Sequence, residues 1–240
     1  MNIPKFFLAT SNYFLVVLFS FYTPFILAFD WQKIPPPQHF PAAKELLLVL
    51  YQENPETFYC GCAFNKKGQI NKDQCRVSLN LPNDMFTLEW EHIVPASLLG
   101  ADLECWQTST CSIKQAKTHR DCCQKTSKQF QLREANLYNL VPSIKYANRK
   151  RSNFKPGLIA HKEHAERVCG FLIDKRQRIM EPDDSLKGFI ARTYLRLNEI
   201  YQFKLSPADR KLYYQWAAAF PPTEWEIKRE LIINKIYAVE

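Results

Sequence analysis

Apolar residues recur at helical spacing near the beginning of the chain and again in its last third. Residues 44–51 (KELLLVLY) predict a short helix. In the last third, the signals that begin a helix are Asp184 or Ser185, then Ser206-Pro207 for a segment that runs to Ala219, then Pro221-Pro222-Thr223. The side chains expected to face the core are Leu186, Phe189, Ile190, Tyr194, Leu195 and Leu197 in the first of these helices, and Trp225, Ile227, Leu231, Ile232 and Ile236 in the last.

The middle of the chain has a different pattern. Residues 86–94 mix apolar, aromatic and charged residues and predict the clearest strand. Residues 60–83 combine turn residues with short apolar pieces, which favours strands and loops, and a helix is expected up to Asn148. No internal repeat is present. We therefore predict an α+β fold with strands near the middle and helices around them.

The first 28 residues have the features of an export signal. Lys5 is followed by an apolar run from Tyr13 to Ala28, and a small residue ends that run. An uncleaved membrane span is the alternative, but a span needs roughly 20 apolar residues and the run reaches that length only on a generous count. We predict a cleaved signal peptide over residues 1–28 and a single domain over residues 29–240.

Eight cysteines agree with export into an oxidising compartment. An even number of cysteines behind a signal peptide indicates disulfides. The alternative is a zinc site, because Cys60 and Cys62, like Cys122 and Cys123, lie close in sequence; the spacing of the usual zinc motifs is missing. Four of the eight cysteines lie in the polar, basic stretch 105–128, which predicts an irregular, cross-linked loop. The pairing cannot be deduced from the spacing.

The composition indicates a folded protein but does not decide what the protein binds. The chain has 240 residues, 46% of them apolar, with a net charge of +8. This charge suggests a polyanionic partner such as nucleic acid. A soluble protein can also carry such a charge only for solubility.

Two short blocks carry the residues suited to phosphodiester hydrolysis: residues 89–97 form the first, and residues 136–142 with residues 148–153 form the second. The reaction needs an activated water, stabilisation of phosphate charge and help for the departing oxygen. A hard cation such as Mg²⁺ serves the last two needs and prefers oxygen ligands, which Glu91 and Asn148 offer. His92 has a side chain that can accept a proton near neutral pH.

The adjacency of Glu91 and His92 sets a geometric condition. Neighbours in a regular strand point to opposite faces, so the two side chains should diverge. They can serve one site only if the strand ends or bulges there, and Pro95 favours such an ending.

Short blocks of characteristic sequence are spread along the chain: residues 58–62 (FYCGC), 89–96 (EWEHIVPA), 105–107 (CWQ), 136–142 (NLYNLVP), Asn148, 151–154 (RSNF), 188–194 (GFIARTY) and 222–226 (PTEWE). In these blocks, and in their order over residues 40–235, the chain resembles the endonuclease I family, whose members are periplasmic or extracellular nucleases of the ββα-metal (His-Me finger) superfamily. The resemblance implies a ββα-metal finger core within a mostly helical, disulfide-bonded domain.

The resemblance also implies a role for each matching residue. His92 would be the general base, and Glu91 and Asn148 the protein ligands of Mg²⁺, which another divalent cation can replace. Arg120 is the nearest match to an arginine that contacts the scissile phosphate, with Lys117 and Arg133 as alternatives in a longer middle loop. The main-chain carbonyl of Glu134 would hold the His92 ring. Asn139 would brace the core.

The sequence departs from the family at three places. Tyr138 stands where the family usually has His, and Arg149-Lys150 stands where it has Gly-Asp. Neither change removes a ligand or the base, and the second adds positive charge beside Asn148. Ile227 replaces a family cysteine, so a disulfide near the C-terminus is not expected.

Basic residues at the second block predict a nucleic-acid groove formed by Lys145, Arg149, Lys150 and Arg151. Tyr138, Tyr146 and Phe154 lie among them, as suits a backbone-tracking surface, although a solvated helix face with buried aromatics has the same pattern. No base-reading module is visible, so cleavage without sequence preference is expected. We expect a periplasmic or secreted monomer that acts on DNA and RNA and, once its signal is removed, does not associate stably with membranes. A secreted polyanion-binding protein without catalytic activity is the alternative.

Overall fold

Helices account for most of the regular structure in the computed structural model, which describes residues 30–107, 111, 113 and 116–238. The predicted signal peptide lies outside these residues. The part from Trp31 onward forms one compact unit. Its described helices are α1 (Phe40–Leu50), α2 (Ala96–Gly100), α3 (Glu104–Gln107), α4 (His119–Thr126), α5 (Lys128–Glu134), α6 (Lys145–Arg151), α7 (Asp184–Tyr201), α8 (Pro207–Ala219) and α9 (Glu224–Tyr237).

The helix-start signals of the last third are close to the observed starts. The Ser206 hydroxyl accepts a hydrogen bond from the Asp209 N–H, and Pro207 is the first residue of α8. Thr223 caps α9 in the same way. The N-cap of α7 is Asp183, one residue before the predicted Asp184. Helix α1 begins at Phe40, four residues earlier than predicted.

The predicted inner face of α9 is partly wrong. Ile232 and Ile236 are buried, but Ile227 is 49% exposed and Leu231 57% exposed. Apolar residues occur all around this helix, so their spacing did not select one face. The observed inner face includes buried Ile233 and, unexpectedly for a core, the charged Arg229.

A small antiparallel sheet and a helix carry the two polar blocks of the sequence. Strand β1 (Leu88–His92) pairs with β2 (Leu140–Ile144), with Trp90 opposite Pro142. Helix α6 follows β2 without an intervening loop and packs against both strands. The predicted strand over residues 86–94 is therefore confirmed in a shorter form.

A second sheet was not predicted. It has the order β3–β6–β5–β4, with β3 (Lys155–Pro156), β4 (Glu166–Val168), β5 (Phe171–Asp174) and β6 (Ile179–Pro182). Its strands have two to four residues each, too short for a period-2 pattern to stand out. In contrast, the strands expected within residues 60–83 are only isolated bridges, such as that between Phe64 and Ile70.

All eight cysteines form disulfides: Cys60–Cys169, Cys62–Cys75, Cys105–Cys123 and Cys111–Cys122. The prediction of disulfides rather than a zinc site is confirmed. The stretch 105–128 is cross-linked as expected, but it is not wholly irregular because it contains α4. The Thr118 hydroxyl caps this helix by accepting the Asp121 N–H.

Two hydrophobic clusters meet the small sheet from its two sides. One joins Ile93 and Val141 to the second sheet and to α7 and α8. The other joins Trp90 and Leu140 to α1 and α9. The strands that carry the polar blocks are thus buried between two cores, in a fold of the predicted α+β class. Within the described ranges, no helix has the length and apolar content needed to span a bilayer.

Candidate active site

One cleft of about 310 Å³ brings the predicted residues together. Its walls come from the end of β1 and from α2, α3, α4 and α6. The residues that line it are Trp90, Glu91, His92, Pro95, Ala96, Ser97, Trp106, Arg120, Asn148, Arg151, Ser152 and Asn153. A larger cleft of about 700 Å³ lies among α7, α8 and α9, but none of the predicted catalytic or metal-binding residues lines it.

Strand β1 ends at His92, which meets the geometric condition set by the sequence. The next residue, Ile93, donates its N–H to the carbonyl of Asn139 at 3.0 Å, outside the regular pairing of β1 with β2. Glu91 and His92 are both buried, and both line the cleft.

The His92 ring is held by the main chain. Its Nε2 lies 2.9 Å from the carbonyl oxygen of Glu134, the contact that the resemblance implied. Because a carbonyl can only accept, Nε2 must carry the proton, and the lone pair of the neutral ring is on Nδ1. Burial and the nearby Arg120 and Arg151 lower the pKa of His92 to about 3, although the bond to Glu134 opposes them. His92 is therefore neutral at pH 7.

Glu91 is fixed from the protein interior. Its Oε1 accepts a hydrogen bond from the Tyr59 hydroxyl at 3.0 Å and lies 3.1 Å from Nη1 of Arg151. Burial raises the pKa of Glu91 to about 7, while Arg151 and Tyr59 favour the charged form. Among the described residues Oε2 accepts no hydrogen bond, so this oxygen is available to a cation in the cleft.

Asn148 lies on α6 across the cleft from the strand end. Its Nδ2 donates to Oε2 of Glu89 at 2.8 Å. This bond assigns the nitrogen side of the carboxamide to Glu89 and leaves the oxygen as the free acceptor.

The donor set fits a hard cation that keeps part of its water shell. Glu91 and Asn148 provide oxygen atoms, as Mg²⁺ prefers, and Mg²⁺ usually binds through one or two protein groups plus phosphate. Within the described part of the chain, no group of three or more His, Cys, Asp or Glu side chains could hold a metal by itself.

Arg120 reaches the cleft from α4 and is 40% exposed at its side chain. Its Nε donates to Oε1 of Glu134 at 2.6 Å. Of the two alternatives, Arg133 is buried and paired with Asp102, and Lys117 does not line the cleft. Arg120 is the one of the three that lies beside His92.

Asn139 connects the end of β1 to the segment before β2. Its side chain accepts the Val94 N–H at 2.7 Å and donates to the Val94 carbonyl at 2.9 Å. This reciprocal pair fixes the chain two residues beyond His92.

The four residues predicted to form a basic groove have different surroundings in the structure. Lys145 pairs with Asp84, Lys150 pairs with Glu166, and Arg149 is 64% exposed with a 3.8 Å contact to Glu89. Arg151 differs, because its side chain is only 1% exposed. Its guanidinium donates to the carbonyls of His92 and Ile93 and contacts Glu91. We predicted that Arg151 contacts nucleic acid in a surface groove. The structure corrects this: Arg151 is buried and supports the end of β1 from inside the protein.

The three aromatic residues predicted to line the same groove also lie in different places. Tyr138 lines the larger helical cleft, where its ring stacks on Tyr237 and its hydroxyl bonds to Asn234. Tyr146 lies under Lys150 and Phe154 under Arg178. None of the three lines the candidate active site.

Several residues that shape the site were missed from the sequence. Tyr59 contacts Glu91, and Phe40 contacts His92; both come from distant parts of the chain. Trp106 lines the cleft from α3. Tyr59 and Trp106 lie in blocks that resemble the family, which is a signal for their importance but not for their contacts. Phe40 had no local signal at all.

Comparisons with known proteins agree with this arrangement. The model of the family described as Endonuclease I matches residues 38–239. A "Periplasmic deoxyribonuclease" of Aeromonas hydrophila is 35% identical over 204 residues, covering 83% of this chain and 82% of that protein. An "Extracellular deoxyribonuclease" of the same species is 34% identical over 204 residues, with 83% and 84% covered. The "Endonuclease-1" of Buchnera aphidicola subsp. Acyrthosiphon pisum (strain APS) is 34% identical over 203 residues, with 83% and 77% covered.

The small sheet, α6 and the shared cleft define an α+β protein with a site suited to phosphodiester chemistry. The family model matches residues 38–239, and the three relatives are 34–35% identical over 77–84% of their length; together these matches show the family. The chain belongs to the endonuclease I family.

Proposed function

We propose that this protein is a metal-dependent endonuclease that hydrolyses phosphodiester bonds of DNA, and also of RNA, without sequence preference. The observation that carries the proposal is the single cleft lined by Glu91, His92, Arg120 and Asn148. The deoxyribonuclease names of the relatives support the same substrate class.

In this proposal β1, β2 and α6 are the ββα-metal finger. Glu91 and Asn148 hold one Mg²⁺, or another divalent cation in its place. The bound ion supplies stabilisation of the phosphate charge and of the departing oxygen. Arg151 and Tyr59 keep the Glu91 carboxylate in position, because its Oε1 is already bonded to both.

His92 acts as the general base through Nδ1. It takes a proton from the attacking water while the water oxygen bonds to phosphorus and the bond from phosphorus to the leaving oxygen breaks. The Glu134 carbonyl keeps the proton on Nε2, so the lone pair that accepts the proton is on Nδ1. Arg120 binds an oxygen of the scissile phosphate, and its bond to Glu134 limits its motion.

Cleavage of both DNA and RNA without sequence preference follows from contacts to the sugar-phosphate backbone. The groups that line the cleft suit phosphate and sugar, and such contacts carry little sequence information. On α6, Arg149 is exposed beside Asn148 and adds a phosphate contact, while Lys145 and Lys150 are paired with Asp84 and Glu166 and contribute less positive charge. The proposed contacts are the same for a DNA or an RNA strand.

We further propose a signal peptide over residues 1–28, a single nuclease domain over residues 29–240 and a periplasmic or secreted monomer. The names of the Aeromonas relatives and the four disulfides support export. Edman sequencing of the exported protein would locate the cleavage site.

Plasmid nicking by the oxidised protein tests the proposed activity. We expect wild-type protein to nick plasmid DNA and to degrade RNA with Mg²⁺, and EDTA to stop both. His92→Ala should lower the nicking rate by roughly 10²- to 10⁴-fold, the usual contribution of a general base. Its DNA affinity and melting temperature should remain near those of the wild type.

The alternative, an inactive polyanion-binding protein, gives a different result. It would retain DNA without any EDTA-sensitive hydrolysis by the wild type. A fully active His92→Ala variant would remove His92 as the base.

A further inference from the structure

Phe40, the first residue of α1, contacts both groups that the proposed mechanism requires to be aligned. We propose that Phe40 is a positioning residue, which orients the His92 ring and the Arg120 guanidinium. This inference rests on the proposed function, because its consequence is a change in turnover.

The His92 ring needs a second constraint besides its hydrogen bond. The torsion about the bond from Cβ to the ring is broad in histidine, and the extended axis of that bond passes close to Nε2. The bond from Nε2 to Glu134 therefore restrains rotation of the ring only weakly, and Nδ1 can swing. The Phe40 ring lies against His92 with centroids 4.9 Å apart and planes tilted by 44°, which blocks this rotation.

Arg120 is in contact with the same phenyl ring. Its guanidinium carbon lies 5.6 Å from the Phe40 centroid, within the range of a cation–π contact. Its Nε is bonded to the Glu134 carboxylate. Glu134 and Phe40 thus each contact both His92 and Arg120, so the relative position of base and phosphate-binding group depends on these two residues.

The position of Phe40 is set by α1 rather than by the cleft. Nδ1 of His39 accepts the Ala42 N–H at 3.2 Å and caps the helix at its first turn. Lys128 on α5 donates to the Gln38 carbonyl at 3.3 Å, and Ala43 is fully buried. Helix α1 therefore places Phe40 against His92, although the two residues are 52 positions apart in the sequence.

Steady-state kinetics of three variants separate positioning from plain packing. Phe40→Ala should lower kcat by roughly 10- to 100-fold, as expected when catalytic groups lose alignment, with KM within about twofold. Phe40→Leu keeps apolar volume without an aromatic face and should fall between wild type and Phe40→Ala. Lys44→Met is the matched control: Lys44 also lies over the Phe40 ring, at 5.2 Å, but it does not line the cleft.

The His92 ring can be observed without turnover. Long-range ¹H–¹⁵N spectra of the metal-free protein should show a single Nε2-protonated tautomer in the wild type, and ring signals that shift and average in Phe40→Ala. Unchanged His92 signals would overturn the proposal. So would a loss of kcat that is no larger than the loss of folded protein, or one that Lys44→Met shares. If the wild type cleaves no nucleic acid, the proposed function fails while the ring signals still report on Phe40.

Discussion

Arg151 shows how a buried cation supports the candidate site. Its side chain is 1% exposed, yet it lies beside a carboxylate and donates to two carbonyls at the end of β1. A buried charge is tolerated only when it is paired and hydrogen-bonded. The conformation of the end of β1 and the position of the Glu91 carboxylate therefore both depend on Arg151.

Arg151→Met should strongly destabilise the protein. Among the described residues, the substitution leaves the buried Glu91 carboxylate with the Tyr59 hydroxyl as its remaining partner, and breaking one side of a buried ion pair typically costs about 3–5 kcal/mol. Urea denaturation followed by fluorescence measures the free energy of unfolding.

The neighbouring Arg149 is a suitable control for this measurement. It is 64% exposed, so Arg149→Met should change the free energy of unfolding by no more than about 0.5 kcal/mol. Equal effects of the two substitutions would contradict the internal role of Arg151.

At the scale of elements, α9 shows where a pattern of apolar residues is ambiguous. Trp225, Ile227, Leu231 and Ile232 cover more than one face, so the sequence is compatible with several rotations of the helix. The packed face is selected by the surroundings: Arg229 donates to the carbonyls of Leu137 and Leu140, just where β2 begins. An arginine that satisfies these carbonyls determines which isoleucines are buried.

Alanine substitutions on α9 test this orientation. Ile236→Ala, at a fully buried site, should lower the free energy of unfolding by about 2–5 kcal/mol. Ile227→Ala, at a site that is 49% exposed, should change it by no more than about 0.5 kcal/mol. Thermal and urea unfolding of both variants give the comparison, and a large cost at Ile227 would show that the other face is packed.

For the whole molecule, the disulfides differ in how much chain they close. Cys60–Cys169 spans 109 residues and joins the segment that carries Tyr59 to the second sheet. Cys62–Cys75 closes a loop of 13 residues. In the chain-entropy model a longer loop restricts the unfolded chain more, so the first bridge should stabilise the fold more than the second.

Paired alanine substitutions measure this difference. Removing Cys60–Cys169 should cost roughly 1.9 kcal/mol more than removing Cys62–Cys75, on the loop-length scale of the chain-entropy model. Urea unfolding of the two double variants, with the other bridges intact by mass spectrometry, gives both values. A larger cost for the short loop would mean that local packing outweighs chain entropy here.

The candidate site itself was largely predictable from residue chemistry and from the order of short blocks. Glu91, His92 and Asn148 have the side chains that a metal and a base require, and adjacency already placed Glu91 beside His92. The strand predicted over residues 86–94 ends at His92, which is the condition for Glu91 and His92 to share one site, and the Asn139 side chain bonds to Val94 just beyond this end. These features depend on residue type and local spacing, which a sequence displays directly.

Only the tertiary structure decided which distant groups surround those residues. Arg151 ends a run of basic residues that equally suits a solvent-facing helix, and its burial follows from the packing of α6 on β1. Tyr59 and Phe40 reach the site from 32 and 52 residues away in sequence. Such contacts depend on the packing of whole elements, which no local pattern encodes. The sequence alone determined the chemistry of the site, and the fold determined what holds that chemistry in place.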